Sequence, residues 1–337
     1  MFNKLYEEIK KIIKENYKSF LLFFILFFIL TFEFPYYISA PGGTIDTSEK
    51  IKSDSGFKMS GSLNMAYVSE IHGTIPTLIY SAFNKDWDIE KEENVKASNE
   101  SIEDKSYRNH MLLKEANDTA LLVAYKHSNI NYKIENNKVY ITYVDKLAKT
   151  DLKVKDQILK VDDKVITCKQ DLYDYTETKK IGDKIKFKVK NGNKTFIRTA
   201  TLIDVLGKPK VGTIITETFD IKSNKKVKFN FKKSESGSSG GLMLTLTIYS
   251  NLNKIDLTAG KKIIGTGTID ENGNVGEISG IKYKLIGAVN KKADIFLVPC
   301  GENYQEARNL KNKRGYSIDI IPVKTFDEAL KYLKSLD

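Results

Sequence analysis

The longest apolar run lies near the start of the chain. Residues 20–32 read FLLFFILFFILTF without a charge, and Phe34, Tyr36, Tyr37 and Ile38 extend the run past Glu33 and Pro35. The uncharged run alone is shorter than the ~20 residues a spanning helix needs, but residues 19–38 reach that length. Lys18 at one end and the aromatics at the other suit the two membrane interfaces. The pattern predicts a transmembrane anchor over 19–38. A cleaved signal peptide ending at Ile38-Ser39-Ala40 is the other reading. Lys4, Lys10, Lys11, Lys14 and Lys18 outnumber Glu7, Glu8 and Glu15 ahead of the run, so residues 1–18 stay in the cytoplasm. On both readings everything after the run lies outside.

Beyond it, Pro41-Gly42-Gly43 is turn chemistry. Residues 57–83 alternate short apolar and polar runs, which predicts two or three strands, or a strand and a helix. Residues 86–106 are charged without clear period and read as loop or linker. Residues 115–127 place Ala120, Leu121, Val123 and Ala124 at helical spacing. Residues 138–203 then read as a β-rich module. Strands are expected at 138–144, on both sides of a turn at Asp162-Asp163, and at 184–189 and 195–202, the last two joined by Asn191-Gly192-Asn193. A short helix is expected over 171–179.

Composition narrows the class. A chain of 337 residues is too long for one ordinary core and implies two or three domains. With 41% hydrophobic and 29% charged residues, most of it is globular. The formal net charge of +11 comes from lysines spread along the whole chain, without an Arg-rich stripe or interleaved aromatics, which argues against nucleic acid as partner. Cys168 and Cys300 make no disulfide framework, and no Cys/His cluster has zinc-ligand spacing. His72, His110 and His127 are isolated and read as surface or packing residues. So few histidines leave little material for a Ser-His-Asp triad and favour a lysine base.

The chemistry is carried by two stretches. Residues 234–251, SESGSSGGLMLTLTIYSN, pass from small flexible residues into a buried helix, which sets Ser239 where backbone N–H groups converge and an oxyanion can be held. Taken alone, such a Gly-Ser run is equally a linker or an N-cap. Downstream, residues 262–269 form an apolar strand, Asp270 to Gly273 a turn, and residues 282–293 a helix with Lys284 in its first turn. Apolar neighbours Leu285, Ile286, Ala288 and Val289 bury that lysine in part, and burial lowers its pKa toward a useful base. A lone lysine in so lysine-rich a chain otherwise reads as a surface charge.

Two resemblances join these pieces. Val139-Tyr140-Ile141 followed by LKVKDQILKVDDK resembles a PDZ domain, with Lys155 and Asp163 where that family has turn glycines. The resemblance implies that Val139, Tyr140 and Ile141 form the edge strand that captures an extended peptide, though the module could simply space the rest from the membrane. Gly237-Ser238-Ser239-Gly240-Gly241, Thr266-Gly267-Thr268-Ile269 and Ser279-Gly280-Ile281-Lys282-Tyr283-Lys284 resemble the proteolytic domain of Lon-type proteases. Ser238, Gly240 and Ser279 replace that family's proline, alanine and glycine. The resemblance implies Ser239 as nucleophile, Lys284 as general base and Thr266 as the residue that orients the lysine amine. An anchor, a PDZ-like module and a Lon-type domain without a G-x-x-x-x-G-K-[ST] phosphate loop together resemble the bacterial YlbL-like proteases.

The expectation is an α+β multidomain protein. It has a cytoplasmic N-terminus (1–18), a transmembrane helix (19–38), a juxtamembrane region (39–115), a PDZ-like β-rich module (116–205) and a Lon-type proteolytic domain (206–337). The expected activity is ATP-independent extracytoplasmic serine endopeptidase action on unfolded, secreted or membrane-tethered peptides, without cofactor or metal. A non-catalytic peptide-binding protein and a structural anchor are the rival readings. The oligomeric state stays open.

Overall fold

The computed structural model describes residues 2–97 and 100–336, which divide into two compact units. One comprises the residues up to Pro41 together with Val68–Val95; the other comprises Gly42–Tyr67 and the described residues from Lys96 onward.

The smaller unit begins with a helix over Phe2–Thr31, broken at Asn16, where φ is −115° and ψ 17°. The break separates a charged first half from an apolar second half. The segment expected to be one anchor over 19–38 is not one element. The helix ends at Thr31, and Phe34–Asp46 is a strand with Tyr37, Ile38, Ser39 and Ala40 buried. Pro35 explains the change, because a residue ahead of proline is pushed out of the α region. Residues 20–30 are apolar without interruption, yet eleven residues make only roughly 16 Å of helix. No helix among the described residues is long and apolar enough to cross a membrane. Cleavage after Ala40 would cut a buried strand in two. The strand pairs antiparallel with Asp88–Lys91, Ile38 facing Ile89. Residues 57–83 prove to be the strand-and-helix alternative, a strand over Ser62–Gly73 and a helix over Ile75–Phe83.

Two large sheets, with smaller two-stranded ones beside them, build the larger unit among its described residues. In the first, Asp319–Val323, Ile295–Pro299, Lys262–Gly265 and Ser62–Gly73 lie side by side, all parallel. These strands read as continuous apolar runs because both faces are covered. Ile263, Ile295 and Leu297 pack on one side with Leu242, Leu246 and Ile248 of a helix over Gly241–Asn253; Ile264, Phe296 and Val298 pack on the other with Ile281, Leu285 and Ala307. The expected α+β arrangement is therefore α/β here. The strand Ser62–Gly73, assigned by sequence to a juxtamembrane region, supplies Leu63 opposite Ile263. The parallel sheet thus draws on residues well before 206.

The second sheet is antiparallel. Its order is Thr213–Ser223, Tyr132–Val144, Gln157–Val161, Lys184–Asn191, Lys194–Thr201, Lys149–Thr150. Ile185, Phe187 and Val189 point into its core while Lys184, Lys186, Lys188 and Lys190 face water, the period-2 pattern of a half-buried strand. The expected strands, the turns at 162–163 and 191–193 and the helix, here Lys169–Glu177, are all present. The module extends past 205, since Thr213–Ser223 completes the sheet.

One long helix, Ile102–His127, packs on the helix Gly241–Asn253 and on the strands Thr213–Ser223 and Tyr132–Val144. The sequence placed its first turns in a linker. Ser101 caps it, accepting from the Asp104 N–H at 3.0 Å. Its buried residues begin only at Ala116, so apolar periodicity marked only the second half.

Candidate active site

The helix Gly241–Asn253 is buried from Gly241 to Asn251, as the sequence implied. Ser238, Ser239 and Gly240 form the turn that enters it, with the Gly241 N–H donating to the Ser238 carbonyl at 3.1 Å. The Leu242 N–H donates to the Gly267 carbonyl at 3.1 Å, and the Gly267 N–H donates to the Ser239 carbonyl at 2.8 Å. The Ser239 backbone is thereby stitched to the segment after the strand Lys262–Gly265. Ser239 stands two residues ahead of a helix start, where the helix dipole favours negative charge.

Lys284 enters from another element. Gly280, at φ +75°, starts the helix Ile281–Asn290, and the Lys284 N–H donates to the Gly280 carbonyl. The side chain is 4% exposed. Its Nζ donates to Thr266 Oγ1 at 3.2 Å, and Thr266 Oγ1 in turn donates to the Ser239 carbonyl at 3.1 Å. Burial lowers the Lys284 amine from 10.5 to about 8, because the ammonium loses its hydration. At that value a substantial share of the amine is neutral near pH 7.5 and able to accept a proton. The fully buried Thr266 is positioned by its own backbone, whose N–H donates to the Leu297 carbonyl at 3.0 Å. Ser239, Thr266 and Lys284 thus converge through one hydroxyl.

Gly240 has a reason for lacking a side chain. A Cβ built there would lie 2.6 Å from Met65 Sδ. Met65, from the strand Ser62–Gly73, fills the space that an alanine methyl would take. The loop ahead of Ser239 is anchored by residues to which sequence reasoning gave no role in the site, His110 having been read as a surface or packing residue. The Gly237 N–H donates to the Asn109 carbonyl at 2.9 Å, with Gly237 at φ +93°. His110 Nε2 lies 2.8 Å from the Lys233 carbonyl. The buried Lys50 Nζ lies 2.7 Å from Glu235 Oε1. Nothing local in sequence marks Lys50, Asn109 or His110, because each acts across more than a hundred residues.

The expected peptide-binding edge is corrected. Val139, Tyr140 and Ile141 face Glu217, Thr216 and Ile215 on one side, and Val139 and Tyr140 face Ile158 and Gln157 on the other. A strand paired on both sides offers no main-chain donors to an incoming peptide. The sheet's end strand on this side is Thr213–Ser223.

The fold joins an antiparallel-sheet module to an α/β domain, and both find matches among known families. Residues 102–202 match the PDZ domain family, and residues 225–335 match the Lon protease (S16) C-terminal proteolytic domain. The chain is 32% identical over 99 residues to the Lon protease of Neorickettsia sennetsu, covering 29% of this chain and 12% of that protein. It is 32% identical over 96 residues to the Lon protease of Rickettsia bellii, covering 28% and 12%. The chain thus spans about an eighth of the length of these relatives. Among solved structures, the PDZ domain of an SdrC-like protein of Listeria monocytogenes is similar at 27% identity and a TM-score of 0.23, over 25% of this chain and 92% of that one. Its counterpart from Listeria innocua is 32% identical with a TM-score of 0.22, over 23% and 92%.

Proposed function

We propose that the chain is an ATP-independent serine endopeptidase in which Ser239 is the nucleophile and Lys284 its base. The observation that carries the reading is the buried Lys284 amine, held on Thr266 Oγ1, which also holds the Ser239 carbonyl. A neutral Lys284 takes the Ser239 hydroxyl proton as Oγ attacks the scissile carbonyl carbon. The positive end of the helix Gly241–Asn253 and the main-chain N–H groups of the Ser239-Gly240 turn receive the oxyanion. The C–N bond breaks as the Lys284 ammonium returns the proton to the leaving amine, leaving an ester on Ser239. Water, deprotonated by Lys284, then hydrolyses that ester. A peptide substrate that arrives already unfolded suits this site.

All of residues 20–30 of the N-terminal helix except Ile29 are exposed, Phe23 at 60% and Phe24 at 62%. A helix apolar all round belongs in an apolar medium, so we assign this half to a membrane surface. Flotation of the chain with phospholipid vesicles tests that assignment; recovery in the dense fraction overturns it.

The activity is tested with the full chain and β-casein as unfolded substrate. Cleavage survives in Ser238→Ala and is lost in Ser239→Ala and Lys284→Met. A fluorophosphonate probe labels the unmutated chain at Ser239. Unchanged cleavage by Ser239→Ala sinks the assignment, and binding of β-casein without cleavage by the unmutated chain identifies a binding protein instead.

A further inference from the structure

The end strand Thr213–Ser223 has an inner side paired with Tyr132–Val144 and an outer side covered by side chains. Its outward N–H groups recur every second residue. The Glu217 N–H donates to Glu115 Oε1 at 3.0 Å, and the Phe219 N–H, at an irregularity in the pairing, donates to Asp118 Oδ2 at 3.2 Å. Both acceptors belong to the helix Ile102–His127 and sit three residues apart on one face. Lys169, the first residue of the helix Lys169–Glu177, ion-pairs with Glu115, and its N–H donates to Glu217 Oε2 at 2.8 Å. Lys114 Nζ holds Asp118 at 3.0 Å. Two carboxylates therefore occupy the main-chain donors that an added strand would use.

This cover is energetically replaceable. Burial pushes the Asp118 carboxyl up from its ordinary value, the mark of a charge that has lost water. A neutral main-chain carbonyl of an extended peptide would accept from the same N–H groups without burying a charge.

The same helix reaches the nucleophile loop. Asn109 and His110 hold Gly237 and Lys233, two and six residues ahead of Ser239. Asn109 and Glu115 are only roughly 9 Å apart along the axis, a length over which a packed helix moves as one body.

We propose that the outer edge of Thr213–Ser223 is a docking edge for extended main chain, masked by Glu115 and Asp118, and that the helix carrying this mask positions the loop of Ser239. A strand that adds to the edge displaces the two carboxylates, shifts the helix and releases the 233–239 loop. The docking and the coupling stand on the geometry alone; their consequence for peptide cleavage rests on the function proposed above.

The test uses amide hydrogen exchange of the full chain. In Glu115→Ala/Asp118→Ala, exchange at Glu217 and Phe219 accelerates, and exchange across 233–239 accelerates with it by at least about tenfold, while the Lys284 amide and the helix Glu302–Arg314 stay within about twofold. The Ser239→Ala chain, unable to process a substrate, binds β-casein more tightly once the mask is removed. Coupling is reciprocal, so His110→Ala, which removes the side-chain hold of the helix on the loop, changes exchange at Glu217 and Phe219 as well. That second variant decides the matter if the double variant fails to fold. Faster exchange at Glu217 and Phe219 with an unchanged 233–239 loop overturns the coupling, as does a silent edge in His110→Ala. Unchanged β-casein binding overturns the docking edge. A lack of cleavage by the unmutated chain would sink the protease reading and leave the exchange result standing.

Discussion

Lys284 Nζ lies 3.2 Å from Thr266 Oγ1, and that hydroxyl donates to the carbonyl of Ser239. One buried oxygen therefore links the amine to the serine-bearing turn, although the three residues come from three separate elements. The geometry makes the protonation state of Lys284 the variable to measure.

The folded Lys284 amine titrates at about 8, against 10.5 for an ordinary lysine. On the function proposed above, in which the neutral amine is the base, activity should rise with pH through about 8 and level off above it. Stability follows the same sign. The unfolded chain binds more protons between about 8 and 10.5, so this group's contribution is full above 10.5 and lost as pH falls through about 8. Lys284→Met should abolish activity and raise stability at pH 7 by about 2–3 kcal/mol. Thermal melts and a pH–rate profile check both.

Thr266→Val removes the acceptor that the ammonium uses. We expect kcat to fall by roughly 10- to 100-fold with KM nearly constant, since the lost contact is a positioning one. The acid limb of the profile should move to lower pH, because the charged form loses a partner. Thr266→Ser should restore both.

Gly240→Ala sets a methyl 2.6 Å from Met65 Sδ. The backbone at φ −91° tolerates alanine, so the cost is steric, about 1–2 kcal/mol. Met65→Ala should relieve it. A double-mutant cycle by chemical denaturation should show favourable coupling, and additive losses would remove Met65 from this account.

Asp156 is fully buried, lies 2.6 Å from Arg198 Nε, and accepts from the Lys153 N–H and Asn191 Nδ2, both at 2.8 Å. Asp156→Ala strands the Arg198 guanidinium and should destabilise the antiparallel module by roughly 3–5 kcal/mol. Hydrogen exchange in residues 132–201 should report the loss.

A chain starting at residue 33 keeps the strand Phe34–Asp46 whole, whereas one starting at 41 loses buried Tyr37, Ile38, Ser39 and Ala40. The shorter chain should melt at lower temperature, at about 1.5–3 kcal/mol for each large apolar side chain lost. Equal melting temperatures would contradict the strand.

Much of this was legible before any coordinates. The strand over residues 184–191 alternates lysine with Ile185, Phe187 and Val189, and such a period needs no partner to be read. The helix Gly241–Asn253 and the lysine in the first turn of Ile281–Asn290 were equally plain. What misled was the run 19–38, where hydropathy cannot tell an apolar helix from an apolar helix followed by a buried strand. Glu33 and Pro35, at the break, carried the distinction.

By itself the sequence determined the local elements and the residue types of the Ser239, Thr266 and Lys284 constellation. Only the tertiary structure decided that Val139–Ile141 is interior rather than an edge, that residues 62–65 belong to the parallel sheet, and that one helix touches both the end strand and the loop of Ser239. The physical reason is range. Periodicity records how a segment meets water and core, whereas strand order and capping across a hundred residues depend on which buried donors remain to be satisfied once the chain has closed on itself.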